Sequence, residues 1–241
     1  MKRSTTPPPS PMAKKQATKT KGKVAKAQKT YKNAISAPKM RIYYAPGCPN
    51  SMPVKLTYTT DQSFNVVNQG NALIPSIAYR ANGPFDPEVA IGGGQPRYYD
   101  QWAALYNKVT VTHARFKIQY ATQTAGSLPT WICVATATDS DTSRFTTVKS
   151  FMEAPYNNVK LSGTTGQNTS ILDWYPNQYF IGKTIYDEDM ASTTALLPIR
   201  EVFFHVQLKT QTNNADSATR GAILSVEYDC LFFDKIIPTE S

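Results

Sequence analysis

Few side chains in this 241-residue chain have the types and spacing that catalysis or metal binding needs. The two histidines, His113 and His205, are far apart in sequence, and each is expected on the mixed or polar face of a strand as a solvated or interface side chain. Gly182-Lys183-Thr184 has the end of a phosphate-binding loop, but that motif also needs a glycine at position 177, where Asn177 stands. Gly92–Gly94 lacks the G-x-G-x-x-G spacing and reads as a bend that lets backbones approach closely. There is no G-x-S-x-G elbow. Asp187, Glu188 and Asp189 stand together, and three carboxylates can hold calcium with help from the backbone. A solvated acidic loop, or pairing with cations of a neighbouring chain, is the plainer expectation. The cysteines are Cys48, Cys133 and Cys230. An odd count without C-x-x-C spacing argues against a disulfide framework or a zinc site. Cys133 and Cys230 lie in apolar runs and are expected to be buried, which fits a reducing compartment. Asn168-Thr169-Ser170 is then a chance glycosylation match. The expectation is a protein that is not an enzyme and has no cofactor and no metal.

The residues with a clear chemical signature are cations. The first 41 residues contain Lys2, Arg3, Lys14, Lys15, Lys19, Lys21, Lys23, Lys26, Lys29, Lys32, Lys39 and Arg41, with no Asp or Glu. The whole chain has 26 Lys+Arg and 17 Asp+Glu, so residues 42–241 hold 14 cations against 17 anions, a net of −3. The overall +9 thus averages a strongly basic arm (1–41) and a faintly acidic body (42–241). That asymmetry points to a polyanionic partner for the arm.

The arm is not expected to fold alone. Its charges repel, and it has too little apolar area to offset an ordering entropy of roughly 1–2 kcal/mol per residue. The run Thr5 to Pro11, TTPPPSP, opposes a helix. As a coil, about 40 residues span about 35 Å root-mean-square, and roughly 130 Å when fully extended. Lysine is a point charge without the fork that reads base edges, so binding should be blind to sequence and driven by counterion release. Tyr31 can stack on a base and add about 1–3 kcal/mol. The same lysines fit a nuclear-localisation signal. The arm has no apolar face to insert into a membrane, the chain has no apolar run of about 18 residues, and the N-terminus lacks the apolar stretch of a secretory signal.

The body reads as strands. Val202, Phe204, Val206 and Leu208 alternate with Phe203, His205, Gln207 and Lys209. Leu224, Val226, Tyr228, Cys230 and Phe232 oppose Glu227 and Asp229. Ala114, Phe116, Ile118 and Tyr120 oppose His113, Arg115, Lys117 and Gln119. Further strands are predicted at 54–60, 63–67, 73–80, 130–138, 158–164 and 178–186. Short helices are predicted within 99–109 and 146–154. Eight or nine strands with this composition imply one all-β antiparallel sandwich or barrel. Two connections, 81–108 and 139–201, are long and rich in aromatics and proline, which points to packing rather than free mobility. Tyr98, Tyr99, Trp102, Trp174, Tyr175 and Tyr179 are the candidate subunit-interface anchors. Packing inside the chain is the competing expectation for each of them.

One segment carries a family likeness. From Asn82 to Ile118, an Asn82/Asp86-Pro87 turn is followed by Gly92–Gly94 and Gln95-Pro96. Tyr99-Asp100-Gln101-Trp102 and Tyr106 then lead into a strand. This run resembles the capsid proteins of small viruses with circular, Rep-encoding, single-stranded DNA genomes, the circovirus-like group. The C-terminal SVEYDCLFFD resembles the last strand of that family. The specific motifs span about 40 residues, and the arm is lysine-rich where the best-known circovirus capsids are arginine-rich. The resemblance implies a single eight-stranded jelly roll of two packed sheets, 60 copies in a small icosahedral shell, the arm pointing inward onto single-stranded DNA, and entry into the host nucleus through its import machinery. Sixty such arms would bring roughly 720 cations to the lumen and neutralise about as many phosphates. The virion and the host nucleus are the locations it implies, with an unspecified receptor and no membrane. The other reading is a non-viral nucleic-acid-binding β-domain with a lysine-rich tail. Such a binder should keep a basic, aromatic-lined groove in its body, which a net charge of −3 does not favour.

Overall fold

The computed structural model describes residues 49–66, 75–90, 94–121, 129–162, 167–210 and 218–236. The arm, with all of its cations and Tyr31, lies outside the described residues, as do Cys48 and the bend at Gly92 and Gly93.

Nine strands are described: β1 (Ser51–Val66), β2 (Ile77–Arg80), β3 (Tyr106–Ala121), β4 (Thr130–Ala137), β5 (Asn157–Leu161), β6 (Gln167–Trp174), β7 (Ala191–Thr193), β8 (Phe203–Thr210) and β9 (Ala218–Lys235). Two short helices, α1 (Tyr99–Ala103) and α2 (Val148–Met152), lie in the long connections. One sheet runs β1-β9-β3-β6, with β7 on the free end of β3; the other runs β2-β8-β4-β5. Every pairing is antiparallel. β1 pairs with β9, β2 with β8, β3 with β6, and β4 with β5. This nesting of first with last, inward to the middle, is one long hairpin rolled up. The β9–β3 and β8–β4 pairings join the turns of the roll into two sheets. The fold is therefore an eight-stranded jelly roll with β7 added.

The two sheets enclose one core. Phe116 of β3 packs on Tyr79 of β2 and Phe204 of β8, with ring centroids 5.6 and 5.4 Å apart. Tyr228 of β9 is fully buried, and its hydroxyl donates across the core to the Arg80 carbonyl at 2.6 Å. β3 shifts register between Val111 and His113. Strict alternation cannot bury both Val109/Val111 and Ala114/Phe116. A bulge at Thr112 resolves this, and Thr112 Oγ1 donates to the Asp229 carbonyl at 2.9 Å.

Several predicted elements differ. Segment 54–60 and the described part of 63–67, to Val66, form a single strand, because Asp61 simply points outward while pairing with Ile223 continues. Residues 178–186 are not a strand. After Pro176 the chain makes a 3-10 turn (Pro176–Gln178), and Gly182 has φ 77°. The helix predicted within 99–109 ends at Ala103, and Tyr106 already belongs to β3. β6 escapes the pattern because its inward positions include the small polar Ser170 while Ile171 faces out.

His205 is the clearest reversal, since it is fully buried rather than solvated. Both faces of β8 are covered. The segment after β4 folds back over the outer face, where Phe145, Phe151 and Ala154 join Cys133, Ala135 and Ala137 in a second core. α2 is held there by a capping box between Thr147 and Ser150. No described helix is long and apolar enough to cross a membrane.

Candidate assembly surfaces

The end of the roll where β3 begins and β9 finishes is built from the long connections. Tyr99, on α1, donates its hydroxyl to the Thr194 carbonyl at 3.0 Å and packs on Phe85 and Phe232. The amide of Thr194 reaches the Asn107 carbonyl and that of Ile236 the Leu105 carbonyl, each within about 3 Å. Among the described residues, the long connections expose large apolar side chains that include Tyr98, Ile181, Tyr186, Leu196 and Ile199. Ile181 is 86% exposed and Ile199 72%. Connections that burial alone does not stabilise are fixed by ions: Asp189 lies 2.9 Å from Lys183 and 3.7 Å from Arg200. Those two cations hold its carboxyl below the usual aspartate range, with the Lys183 hydrogen bond the larger cause. Asp187 accepts the Thr184 amide at 2.8 Å.

The six aromatic candidates divide. Tyr99 and Trp174 are buried inside the chain, Trp174 edge-on against Phe180, and so present no ring to a neighbour. Trp102 is half-buried against Phe232. Tyr179 is half-buried, and its hydroxyl lies 2.8 Å from Thr136 Oγ1. Tyr175 is partly exposed and stacks on His113 at 4.6 Å. Tyr98 is 71% exposed.

On the solvent face of the five-stranded sheet, the bulge brings His113 between two carboxylates. Its Nδ1 lies 3.0 Å from Asp229 and its Nε2 2.9 Å from Asp173. Lys55 reaches Asp229 at 2.9 Å and Arg115 reaches Asp173 at 2.8 Å. Burial pushes both carboxyls up, but hydrogen bonds from Arg115 and His113 to Asp173, and from Lys55 and His113 to Asp229, outweigh it and hold both below the usual range. The network ties β1, β9, β3 and β6 together across their strands. Sequence reasoning placed His113 on this face but not between its partners, because the bulge that sets the register leaves only a break in alternation.

Among the described residues, Ser76, His205, Cys133, Cys230 and Lys209 are sealed. His205 Nδ1 lies 2.9 Å from Ser76 Oγ, and Nε2 lies 2.9 Å from the Asp139 carbonyl. The pair resembles a nucleophile and its base, yet both are buried beneath the covering segment. Burial pushes the Cys133 thiol up to about 12, and pushes Cys230 higher still. Neither sulfur is therefore a thiolate at neutral pH. Lys209 is buried, donates to the Thr146 carbonyl, and is pushed below the usual lysine range by desolvation. Among the described residues, no group of three His, Cys, Asp or Glu side chains is placed to hold a metal ion. The signal that this face was covered lay in Phe203, which shares it with His205, Gln207 and Lys209.

No protein-family model and no curated protein matches the chain. Solved structures do. The chain is similar to the giant freshwater prawn Macrobrachium rosenbergii nodavirus semi-empty VLP (12% identity, 81% of this chain and 100% of that one, TM-score 0.44). It is similar to Cocksfoot mottle virus (12% identity, 76% and 94%, TM-score 0.46) and to the decameric BFDV capsid protein (13% identity, 76% and 98%, TM-score 0.41). The nested strand pairing, rather than these likenesses, defines the fold.

Proposed function

We propose that the chain is a viral coat protein whose body self-assembles into a closed icosahedral shell while residues 1–41 bind the packaged single-stranded DNA. The observation that carries this reading is the charge partition: 12 cations and no anion in the arm, against a net −3 in the body. A jelly roll alone does not specify a function. Joined to such an arm, a body near neutrality lets copies approach, and the polyanion relieves the repulsion between clustered arms. Assembly and packaging are then coupled, and the arm lysines also serve nuclear entry.

The test is the salt dependence of single-stranded DNA binding by the full chain. With about ten phosphates neutralised, log K falls with log salt at a slope near −7, so a fourfold rise in salt weakens binding roughly 10⁴-fold. Replacing Lys14, Lys15, Lys19, Lys21, Lys23, Lys26, Lys29 and Lys32 with glutamine should remove most of that slope. An unchanged slope in this variant refutes the assignment of the arm.

A further inference from the structure

Tyr98 is one of two described non-glycine residues with positive φ, at 70°; the other, Asp234, is of a type that tolerates it. A tyrosine held in the left-handed region is strained. Among the described residues nothing offsets that strain through the ring, which is 71% exposed and makes no hydrogen bond or aromatic contact with them. Beside it, Arg97 is exposed and makes no ion pair among the described residues.

A second patch has the opposite charge. Between Ile181 and Glu188 the chain exposes Ile181 and Tyr186, and Glu188 is exposed without a cation among the described residues. Its neighbour Asp189, by contrast, is neutralised by Lys183 and Arg200. The two patches flank the end of β9 from opposite faces. Tyr99, next to Tyr98, packs on Phe232, whose ring points into the core, whereas Tyr186 packs edge-on against Phe233, whose ring points outward.

We propose that these patches are the two halves of a head-to-tail contact between copies of this chain, with Arg97–Tyr98 of one copy seated on the Ile181–Glu188 segment of the next. Each half is aromatic or aliphatic; the first offers the Arg97 guanidinium, the second the Glu188 carboxylate with Asp187 beside it, none of the three in an ion pair among the described residues, so the signs at the contact are opposite. Tyrosine and arginine are the side chains that most often dominate interface energetics. A head-to-tail contact between two different patches propagates from copy to copy and closes as a ring or shell where the rotation allows. The inference rests on the self-assembly reading above and names the surface that performs it.

Electron microscopy and sedimentation of the full chain with single-stranded DNA test it through charge reversal. Arg97→Glu and Glu188→Arg should each lower shell yield about tenfold or more at fixed protein concentration, and the double variant should recover it. Both positions are exposed, so thermal unfolding midpoints should match the wild type. Should Arg97→Glu fail to fold, Arg97→Gln takes its place. Tyr98→Gly separates a contact role from a structural one. Glycine accepts φ 70° without strain, so stability should hold or rise while assembly falls. Single variants that assemble like a competent wild type, or a double variant that fails to recover, overturn the contact and leave the function standing. A wild type that forms no shells overturns both.

Discussion

His205 Nε2 lies 2.9 Å from the carbonyl oxygen of Asp139, a residue 66 positions earlier on the segment that covers the outer face of β8. A carbonyl only accepts, so Nε2 carries the proton, and in the neutral ring Nδ1 accepts from the Ser76 hydroxyl. The ring is therefore a buried strut between β8, the residue before β2, and the covering segment.

Burial holds the His205 ring neutral below the ordinary histidine range. As pH drops below about 6.5, the unfolded chain takes up a proton that the folded chain refuses, so stability falls with falling pH over that window. Denaturant unfolding of the wild type should lose stability between pH 7.5 and 5.5, and His205→Gln should flatten that slope. An unaltered slope in the variant would place the titration elsewhere.

Phe116 is the ring that holds the sheets together, touching Tyr79 and Phe204 from the opposite layer. Phe116→Ala should cost about 3–5 kcal/mol through lost burial and an unfilled cavity. Equilibrium unfolding of the variant measures it; a loss under 1 kcal/mol would mean the site collapses around the gap.

Arg80 bonds Glu201 and the carboxylate and carbonyl of Asp86 from a largely buried position. Removing it in Arg80→Ala leaves two partly buried carboxylates without their cation and should destabilise the fold by about 3 kcal/mol. Glu201→Gln, which removes only one charge, should cost clearly less by the same measurement. Equal losses would show that the Glu201 pair accounts for the whole effect and that the Asp86 contact and the arginine stem add nothing.

The carboxyls of Asp173 and Asp229 are held below the ordinary aspartate range. Their contribution is present above the unfolded value of about 3.9 and is lost as pH falls through the folded value. His113→Ala removes a ring partner from each, so the midpoint of acid unfolding should move to higher pH. A midpoint that stays in place would show that Arg115 and Lys55 suffice.

How far these features were legible in the sequence differs from element to element. β8 and β9 announced themselves because their inward residues alternate without interruption, and β3 because its alternation is unbroken from Ala114 to Tyr120. β6 did not, because Ser170 occupies a buried position and Ile171 an exposed one. The strand expected at 178–186 failed because a turn that follows Pro176 buries Phe180 and half-buries Tyr179, and period-two counting does not register a turn. Alternation also cannot say whether a polar face meets water or another layer, which is why His205, expected as a solvated or interface side chain, is instead buried. The left-handed backbone of Tyr98 leaves no mark in residue type at all. The charge partition, by contrast, needs no structure to be read.

The most direct measurement is electron microscopy of the purified full chain, mixed with single-stranded DNA at rising protein concentration. The account predicts closed shells of uniform diameter whose yield depends on the DNA and falls at high salt. Monomers or dimers persisting at high concentration with DNA present would contradict it.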